Sequence, residues 1–256
     1  MNSHLSSTMR GGPCLGGAQV APATAARTHV GMVRSRNEDR WLASPERGLW
    51  AVADGMGGHR GGDLASQRLI EALGHLEPCD SGHALLTAVS SEIRAVNQQL
   101  RRWAREISPG DVIGSTVVVL LIFDSHCCFV WAGDSRAYRL RRGRLERMTH
   151  DHRLVQELLD AGQLTRLEAD RHPMGNVLTR AVGVGDGLVL DTRYETLEPG
   201  DLFLLSTDGL TDMVGDLEIA DLMTDGPIES TADALLALTL ARGATDNVTI
   251  LIVQPS

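Results

Sequence analysis

Hydrophobic positions along the chain follow two different spacings. Three continuous apolar runs contain no glycine or proline and are predicted to be buried strands. They span residues 117–123, 127–132 and 248–253. Elsewhere, apolar residues recur every three or four positions, which is typical of amphipathic helices packed on a flat surface. These helices are predicted at residues 63–76, 83–103, 216–222 and 230–242.

An aspartate stands at one end of each of four predicted strands. Asp54, Asp134 and Asp208 follow their strands, whereas Asp246 precedes residues 248–253. Since the start of one strand lies beside the end of its neighbour in an antiparallel sheet, all four carboxylates can meet on one rim. Acids gathered there would raise one another's pKa, and divalent cations with oxygen ligands, Mg²⁺ or Mn²⁺ rather than zinc, would relieve the repulsion. The alternative is that each aspartate serves a separate turn, where Asp is common.

The loop after Asp54 is rich in glycine, with five glycines among residues 55–62. Because glycine has no Cβ, this loop can bring its main chain close to an ion or a ligand. A glycine-rich turn without a ligand is the simpler alternative, since such loops often follow strands.

Residues 150–185 differ from the sheet-forming regions on either side. A short helix is predicted around residues 154–159, ending at Gly162, and Thr165 is expected to cap another. We interpret this segment as a helical insertion between two sheet regions. Its three histidines lack the spacing of a closed zinc site and are expected to be surface residues or residues of the insertion without a metal role. They are His150, His152 and His172.

Composition excludes several classes of protein. The net charge of −9 argues against nucleic acid as an obligatory partner, because phosphate binding needs a basic face. No apolar run approaches the roughly 18–20 residues of a membrane span. All 24 basic residues are arginine. Without lysine, the chemistry of P-loop NTPases, protein kinases and Schiff-base enzymes is not available.

The cysteines and the N-terminal segment bear on location and domain boundaries. Cys127 and Cys128 lie in an apolar run and are predicted to be buried thiols, and the four cysteines show no disulfide framework, which favours the reducing cytoplasm. Residues 1–27 show no periodicity and are predicted to be a disordered leader. The folded domain is therefore expected to span residues 28–256, including the insertion at about 150–185.

Six short segments resemble, in order and in spacing, the motifs of the metal-dependent serine/threonine protein phosphatases of the 2C type, especially the bacterial branch. The segments are Arg34-x-x-Asn37-Glu38-Asp39, Ala53-Asp54-Gly55-Met56-Gly57-Gly58-His59, Gly114-Ser115-Thr116, Gly133-Asp134-Ser135-Arg136, Ser206-Thr207-Asp208-Gly209-Leu210 and Asp246-Asn247-Val248-Thr249. The resemblance covers residues 28–253, and six motifs in one order are far more specific than any one of them.

The resemblance implies an α+β fold and a metal centre. The fold would be a four-layer αββα sandwich of two antiparallel β-sheets flanked by helices. The centre would hold two Mn²⁺ or Mg²⁺ ions, with Asp54 bridging them and Gly55 offering its carbonyl oxygen. Asp208 and Asp246 would ligate one of the ions.

The resemblance also implies roles around this pair of ions. Glu38 and Asp39 would act through or near coordinated water, and Asp134 would join Asp208 in holding a third ion. Arg34 would bind the phosphoryl oxygens with its guanidinium group and thereby take part in catalysis, a role that lysine fills poorly.

One position leaves the general acid unassigned. Met56 stands where many eukaryotic members have a histidine, although bacterial members share this methionine. His59 is nearby in sequence and is expected to be a loop residue. A water molecule at the metal centre is the more economical proton donor.

The function that the resemblance implies is hydrolysis of phosphoserine and phosphothreonine in proteins by a metal-bridging hydroxide. The enzyme is expected to be a cytoplasmic monomer that opposes a bacterial Ser/Thr protein kinase, with no nucleic-acid or membrane partner. Two alternatives differ in kind. A pseudophosphatase would bind phosphoproteins without turnover, and a phosphatase of regulatory factors would keep the metals but act on other substrates.

Overall fold

Two antiparallel sheets face each other and helices cover both outer faces, so the predicted four-layer αββα sandwich is confirmed. The structure, a computed structural model, describes residues 22–57, 61–107, 112–185 and 187–255. Strands and helices are numbered in chain order within these ranges.

The first sheet has five strands, and the second has six. From edge to edge the first contains β1 (Ala23–His29), β11 (Val248–Gln254), β10 (Leu202–Ser206), β7 (Arg136–Arg141) and β8 (Arg144–Arg147). The second contains β2 (Asp39–Ser44), β3 (Leu49–Gly57), β5 (Val117–Phe123), β6 (His126–Ala132) and β9 (Asp191–Thr196), and the short β4 (Ile113–Ser115) pairs with the end of β3. All strand pairs within both sheets are antiparallel.

Helices cover each sheet on the side away from the other sheet. The second sheet packs against α1 (Gly61–Gly74) and α2 (Gly82–Ile107). The first sheet packs against α5 (Asp208–Thr211), α6 (Asp216–Thr224) and α7 (Ile228–Ala241). Within the described ranges, no helix combines the length and the apolar character needed to cross a membrane.

Three separate apolar clusters hold the layers together. One lies between the two sheets and includes Trp50, Phe129 and Phe203. The rings of Phe129 and Phe203 pack edge to face, with their centroids 5.8 Å apart. The other two lie between a sheet and its helices. Cys127 and Cys128 are buried in β6 as predicted, and burial raises the pKa of these thiols to about 12 and about 11.

The predicted leader is too long at its C-terminal end. The absence of periodicity predicts that residues 23–27 belong to the leader, yet they form most of β1. This strand pairs with β11 from Ala23–Gln254 to His29–Val248. Only Ala25 of this edge strand is buried. The strand is therefore fixed by main-chain pairing to its neighbour, which local composition does not reveal. Residues 1–21 lie outside the described ranges.

The insertion contains α3 (Leu154–Asp160) and α4 (Arg166–Ala169), as the sequence predicted. Thr165 caps α4 in a reciprocal pair of hydrogen bonds with Glu168. The two ends of the insertion are joined at its base, where the Leu154 amide donates to the Val177 carbonyl at 2.9 Å. We call residues 150–185 the flap from here on.

Candidate metal centre

Asp39 and Asp54 occupy opposite positions in the ladder between β2 and β3. The Asp39 side chain is almost completely buried, and its Oδ2 accepts a hydrogen bond of 2.9 Å from the Thr207 hydroxyl. Its Oδ1 is buried and has no hydrogen-bond partner among the described residues. This pairing places two carboxylates side by side at one end of the second sheet.

The main chain at Asp54 is fixed by the strand segment that begins at Gly114. The Asp54 amide donates to Thr116 Oγ1 at 3.0 Å, and the Asp54 carbonyl accepts from the Thr116 amide at 2.8 Å. Ser115 Oγ donates to the same carbonyl at 2.9 Å. The Gly-Ser-Thr motif therefore positions the acid and need not contribute a ligand.

Gly55 follows Asp54 in a space that excludes any side chain. A Cβ at this position would lie 2.1 Å from the Gly62 carbonyl oxygen and 2.7 Å from the Glu38 carbonyl oxygen. Main chain therefore packs against main chain directly beside Asp54, and the predicted approach of this segment to an ion or a ligand stays a prediction.

Asp208 and Asp246 meet because β10 and β11 are antiparallel neighbours. Asp208 begins the short helix after β10, and Asp246 precedes β11. Gly209 permits the close approach, since a Cβ there would lie 1.9 Å from the Asn247 carbonyl oxygen. Asp208 Oδ1 is a second buried oxygen without a partner among the described residues.

Asn247 holds the loop that carries Arg34 against β11. Its side-chain Nδ2 donates to the main-chain carbonyls of Val30 and Arg36 at 2.9 and 2.8 Å. Its Oδ1 accepts from the main-chain amide of Glu38 at 2.8 Å. Sequence analysis gave Asn247 no role beyond its place in a motif. Its burial and its three partners on one loop identify it as the residue that orders this side of the site.

Two arginines pair with the acids. Arg34 donates to Asp246 Oδ2 at 2.7 Å, and its side chain is 57% exposed. Arg153 donates to Asp134 Oδ2 at 2.5 Å and to Asp208 Oδ2 at 2.9 Å. No local pattern predicts the role of Arg153, because this residue precedes α3 and reaches two acids that are distant in the chain.

These groups surround an open cavity of about 800 Å³. Of the predicted site residues, all except Asp39 line it; Asp39 lies opposite Asp54 with its side chain buried. The predicted residues that line the cavity are Arg34, Glu38, Asp54, Gly55, Asp134, Asp208 and Asp246. Met56 also lines it, whereas His59 lies outside the described ranges.

Burial and mutual repulsion disfavour the charged form of these acids. Burial, followed by repulsion from Asp39 and Asp208, raises the pKa of Asp54 well above its ordinary value. Burial and the neighbouring Asp134 do the same to the pKa of Asp208. Burial raises the pKa of Asp39 to about 7. Without additional positive charge, the cluster is electrostatically unfavourable at neutral pH.

The donor set suits hard divalent cations, because the groups are carboxylates beside a glycine-rich main chain and two carboxylate oxygens are buried without partners. Within the described ranges, no three acidic, histidine or cysteine side chains are already grouped tightly enough to enclose an ion. Instead, Arg34 and Arg153 neutralise part of the cluster. The assignment of individual ligands therefore stays a prediction.

The three flap histidines lie apart from the acids and differ from one another. His150 is exposed and His172 is half-buried, and His150 Nε2 lies 2.6 Å from Asp160 Oδ2. His152 lies in the flap but not at the surface, because it is buried and stacks on Trp131. His152 Nδ1 accepts from the Gly133 amide at 3.1 Å, and burial lowers the pKa of the ring. His152 is held there because its segment of the flap forms hydrogen bonds with Gly133, just before Asp134.

Comparison with known proteins agrees with this architecture. The chain is 36% identical over 230 residues to the serine/threonine protein phosphatase PstP of Mycobacterium tuberculosis, an alignment that covers 90% of the chain and 44% of PstP. The chain therefore spans less than half the length of this relative. It is 34% identical over 238 residues to the serine/threonine phosphatase stp of Listeria welshimeri, covering 89% of the chain and 94% of that protein.

Solved structures match the fold over nearly the whole chain. PppA, described as a regulatory component of the T6SS in Pseudomonas aeruginosa, has a TM-score of 0.85 and 41% identity, covering 93% of this chain and 99% of its own. The catalytic domain of PstP in complex with two manganese ions has a TM-score of 0.81 and 35% identity, covering 91% of this chain and 98% of its own. The profile of the family described as Protein phosphatase 2C matches residues 31–243. Because this match covers well over half of the chain, the chain belongs to the Protein phosphatase 2C family.

Proposed function

We propose that this chain is a metal-dependent protein phosphatase that hydrolyses phosphoserine and phosphothreonine in other proteins. The observation that carries the proposal is the convergence of four strand-end carboxylates in one open cavity of a Protein phosphatase 2C family member. The carboxylates belong to Asp54, Asp134, Asp208 and Asp246. The relatives PstP and stp are serine/threonine phosphatases, which supports the same reaction class here.

Asp54, Gly55, Asp208 and Asp246 are the residues that would hold two divalent cations, Mn²⁺ or Mg²⁺. The two manganese ions in the PstP catalytic domain support this assignment. When bound, such ions would make a nucleophilic water available near neutral pH and stabilise the negative charge that develops on the phosphoryl group. The chain contributes rigid placement, because each acid stands at the end of a strand and its neighbouring main chain is hydrogen-bonded.

Arg34 is the residue that would bind the substrate phosphoryl group. It lies at the open side of the cavity, is more than half exposed and pairs with Asp246 through one guanidinium nitrogen. Once Asp246 is neutralised by a cation, the guanidinium group is free to form two hydrogen bonds with phosphoryl oxygens. Arg36 lines the same side and adds positive charge near the entrance.

The described residues that line the cavity include no histidine, lysine or cysteine. Met56 carries no transferable proton, and the ring of His152 is engaged by Gly133 and Asp191 away from the cavity. We therefore propose that water protonates the leaving serine or threonine oxygen.

An open cavity of this size accepts a phosphorylated side chain that projects from a protein or a peptide. On this basis we propose phosphoproteins as substrates and, from the resemblance to bacterial members, a Ser/Thr protein kinase as the opposing enzyme. A cytoplasmic monomer stays the working hypothesis for its location and assembly.

The test is hydrolysis of a phosphothreonine peptide by metal-stripped protein as Mn²⁺ is added. We expect activity that rises with Mn²⁺, is lost with EDTA and is absent in Asp54→Asn, a variant that keeps the size of the side chain. Asp221→Asn, on the exposed face of α6, is the matched control and should retain full activity. Binding of Mn²⁺ without turnover on any phosphopeptide would instead favour a phosphoprotein-binding pseudophosphatase.

A further inference from the structure

Arg153 lies between three carboxylates, two of which, Asp134 and Asp208, line the cavity. Its Nε donates to Asp134 Oδ2 at 2.5 Å, and its Nη2 donates to Asp208 Oδ2 at 2.9 Å. Its Nη1 lies 3.5 Å from Asp212 Oδ1. The Arg153 side chain is only 12% exposed, so these contacts form with little screening by solvent. Three nitrogens of one guanidinium group thus each face a different acid.

A cation held by both Asp134 and Asp208 would compete with this guanidinium group. Arg153 already contacts an oxygen of each carboxylate, and its charge lowers the pKa of Asp134 against the effect of burial. A divalent ion bound to the same oxygens would stand within a few ångströms of a fixed positive charge. Such a like-charge contact in a buried place is strongly unfavourable.

The surroundings of Asp54 differ from those of Asp134. Asp54 lines the same cavity, yet its carboxylate forms no hydrogen bond with an arginine among the described residues. Asp246 pairs with the exposed Arg34, which can turn towards solvent. Among the described residues that pair with these acids, the buried arginine therefore lies at the Asp134 side, whereas Arg34 is exposed.

We propose that Arg153 serves as an internal cation in place of a third metal ion, so that the chain binds two divalent ions tightly and a third only when Arg153 moves away. This inference rests on the proposed function, since it concerns the same acids. Arg153 also belongs to the flap: it immediately precedes α3 and pairs across the flap base with Leu178, which lines the cavity. Displacement of Arg153 by an ion therefore also releases the flap from the acids.

The experiment counts bound Mn²⁺. Metal-stripped protein is titrated with Mn²⁺, and free Mn²⁺ is followed by electron paramagnetic resonance, with calorimetry for the affinities. The wild-type chain is expected to bind two ions tightly. Arg153→Gln, which removes the charge and keeps similar length, is expected to bind a third ion with an affinity at least about tenfold higher than wild type. Arg166→Gln, at an exposed flap arginine, is the matched control and should bind like wild type.

A second variant tests the proposal even if Arg153→Gln fails to fold. Asp134→Asn in the otherwise wild-type chain should leave two tightly bound ions, whereas in the Arg153→Gln background it should remove the third. Three ions of equal affinity in wild type, or loss of a tight ion in Asp134→Asn alone, would overturn the role of Arg153 and leave the proposed function intact. Absence of any Mn²⁺ binding by wild type would overturn both.

Discussion

Asp39 and Asp54 face each other across the β2–β3 ladder, so two carboxylates occupy directly opposed positions of one sheet. Like charges at opposed positions destabilise an antiparallel pair. One oxygen of Asp39 is bonded to Thr207, while the other is buried without a partner among the described residues. The pair thus costs stability in the metal-free protein, and this cost depends on pH.

Asp39→Asn is expected to stabilise the metal-free protein by an amount that grows with pH. The pKa of Asp39 in the folded chain is about 7, above its ordinary value of 3.8. Between these values the folded protein keeps a proton that the unfolded chain has lost, so the free energy of unfolding falls as pH rises. The variant has no carboxyl group at this position, so its free energy of unfolding does not fall in this way. Near pH 4 the two proteins should be similar, and at pH 8 the variant should be more stable by roughly 1–3 kcal/mol.

Thermal unfolding of both proteins in EDTA at several pH values measures this difference, since about 1 kcal/mol moves Tm by roughly 2–4 °C in a chain of this size. Saturating Mn²⁺ should remove the advantage of the variant, because bound cations stabilise the ionised acids. An advantage that is constant with pH would mean that Asp39 is already ionised in the metal-free fold.

Arg34→Lys is expected to raise KM for a phosphothreonine peptide by about tenfold, because an ammonium group cannot form two parallel hydrogen bonds with a phosphoryl group. The change should leave Mn²⁺ affinity nearly unaltered, since Arg34 contacts Asp246 only through an exposed side chain. Steady-state kinetics and Mn²⁺ calorimetry on the same preparation separate the two effects. Arg36→Lys is the control at the same side of the cavity and should change KM less. An unchanged KM in Arg34→Lys would remove Arg34 from phosphate binding.

Sequence alone located the acids because their positions follow from local rules. Asp54, Asp134 and Asp208 lie at or near the ends of apolar strands, and Asp246 precedes one. Antiparallel pairing brings Asp54 and Asp134 to one edge of the second sheet and Asp208 and Asp246 to one edge of the first. The single rim that the sequence predicted is thus shared by two sheets, whose packing joins the two pairs in one cavity. The amphipathic spacing likewise predicted α1 and α2 within a few residues of their ends. These features depend on neighbours in the chain or on one general property of sheets.

Other features depend on distant contacts that no local pattern encodes. Arg153 reaches Asp134 and Asp208 across 19 and 55 positions of the chain. His152 has the composition of a surface loop around it, yet the flap base buries it against Trp131. The alanine-rich start of β1 has no pattern of its own and is ordered by β11.

Asn247→Ala is expected to lower kcat/KM more than it lowers stability. The substitution removes three hydrogen bonds to the loop that carries Arg34, two of them to main-chain carbonyls. Loss of buried partners costs on the order of 1–3 kcal/mol. The larger consequence is that Arg34 and Glu38 are no longer held in place. Asn247→Asp keeps the acceptor for the Glu38 amide and loses only the donors. Its kcat/KM should therefore lie between those of the wild type and Asn247→Ala.

Steady-state kinetics on a phosphothreonine peptide and thermal unfolding test this ranking. The polar atoms of the Asn247 side chain are bonded to the loop, so loss of loop order is the expected cause of a defect. Wild-type kcat/KM in Asn247→Ala would show that the loop is ordered without it.

Removal of β1 tests the corrected N-terminal boundary of the domain. A chain that begins at residue 30 lacks all seven pairs of β1 with β11 and the side-chain hydrogen bonds made by Thr24, Arg27, Thr28 and His29. With about 1 kcal/mol for each main-chain hydrogen bond lost, partly offset by new bonds to water, we expect a loss of roughly 3–5 kcal/mol. A chain that begins at residue 22 keeps the whole strand and is the matched control. Its free energy of unfolding is expected to equal that of the wild type. Urea unfolding of the three proteins measures both changes. Equal stability of the two truncated chains would mean that β11 does not need β1, and that the domain begins after His29.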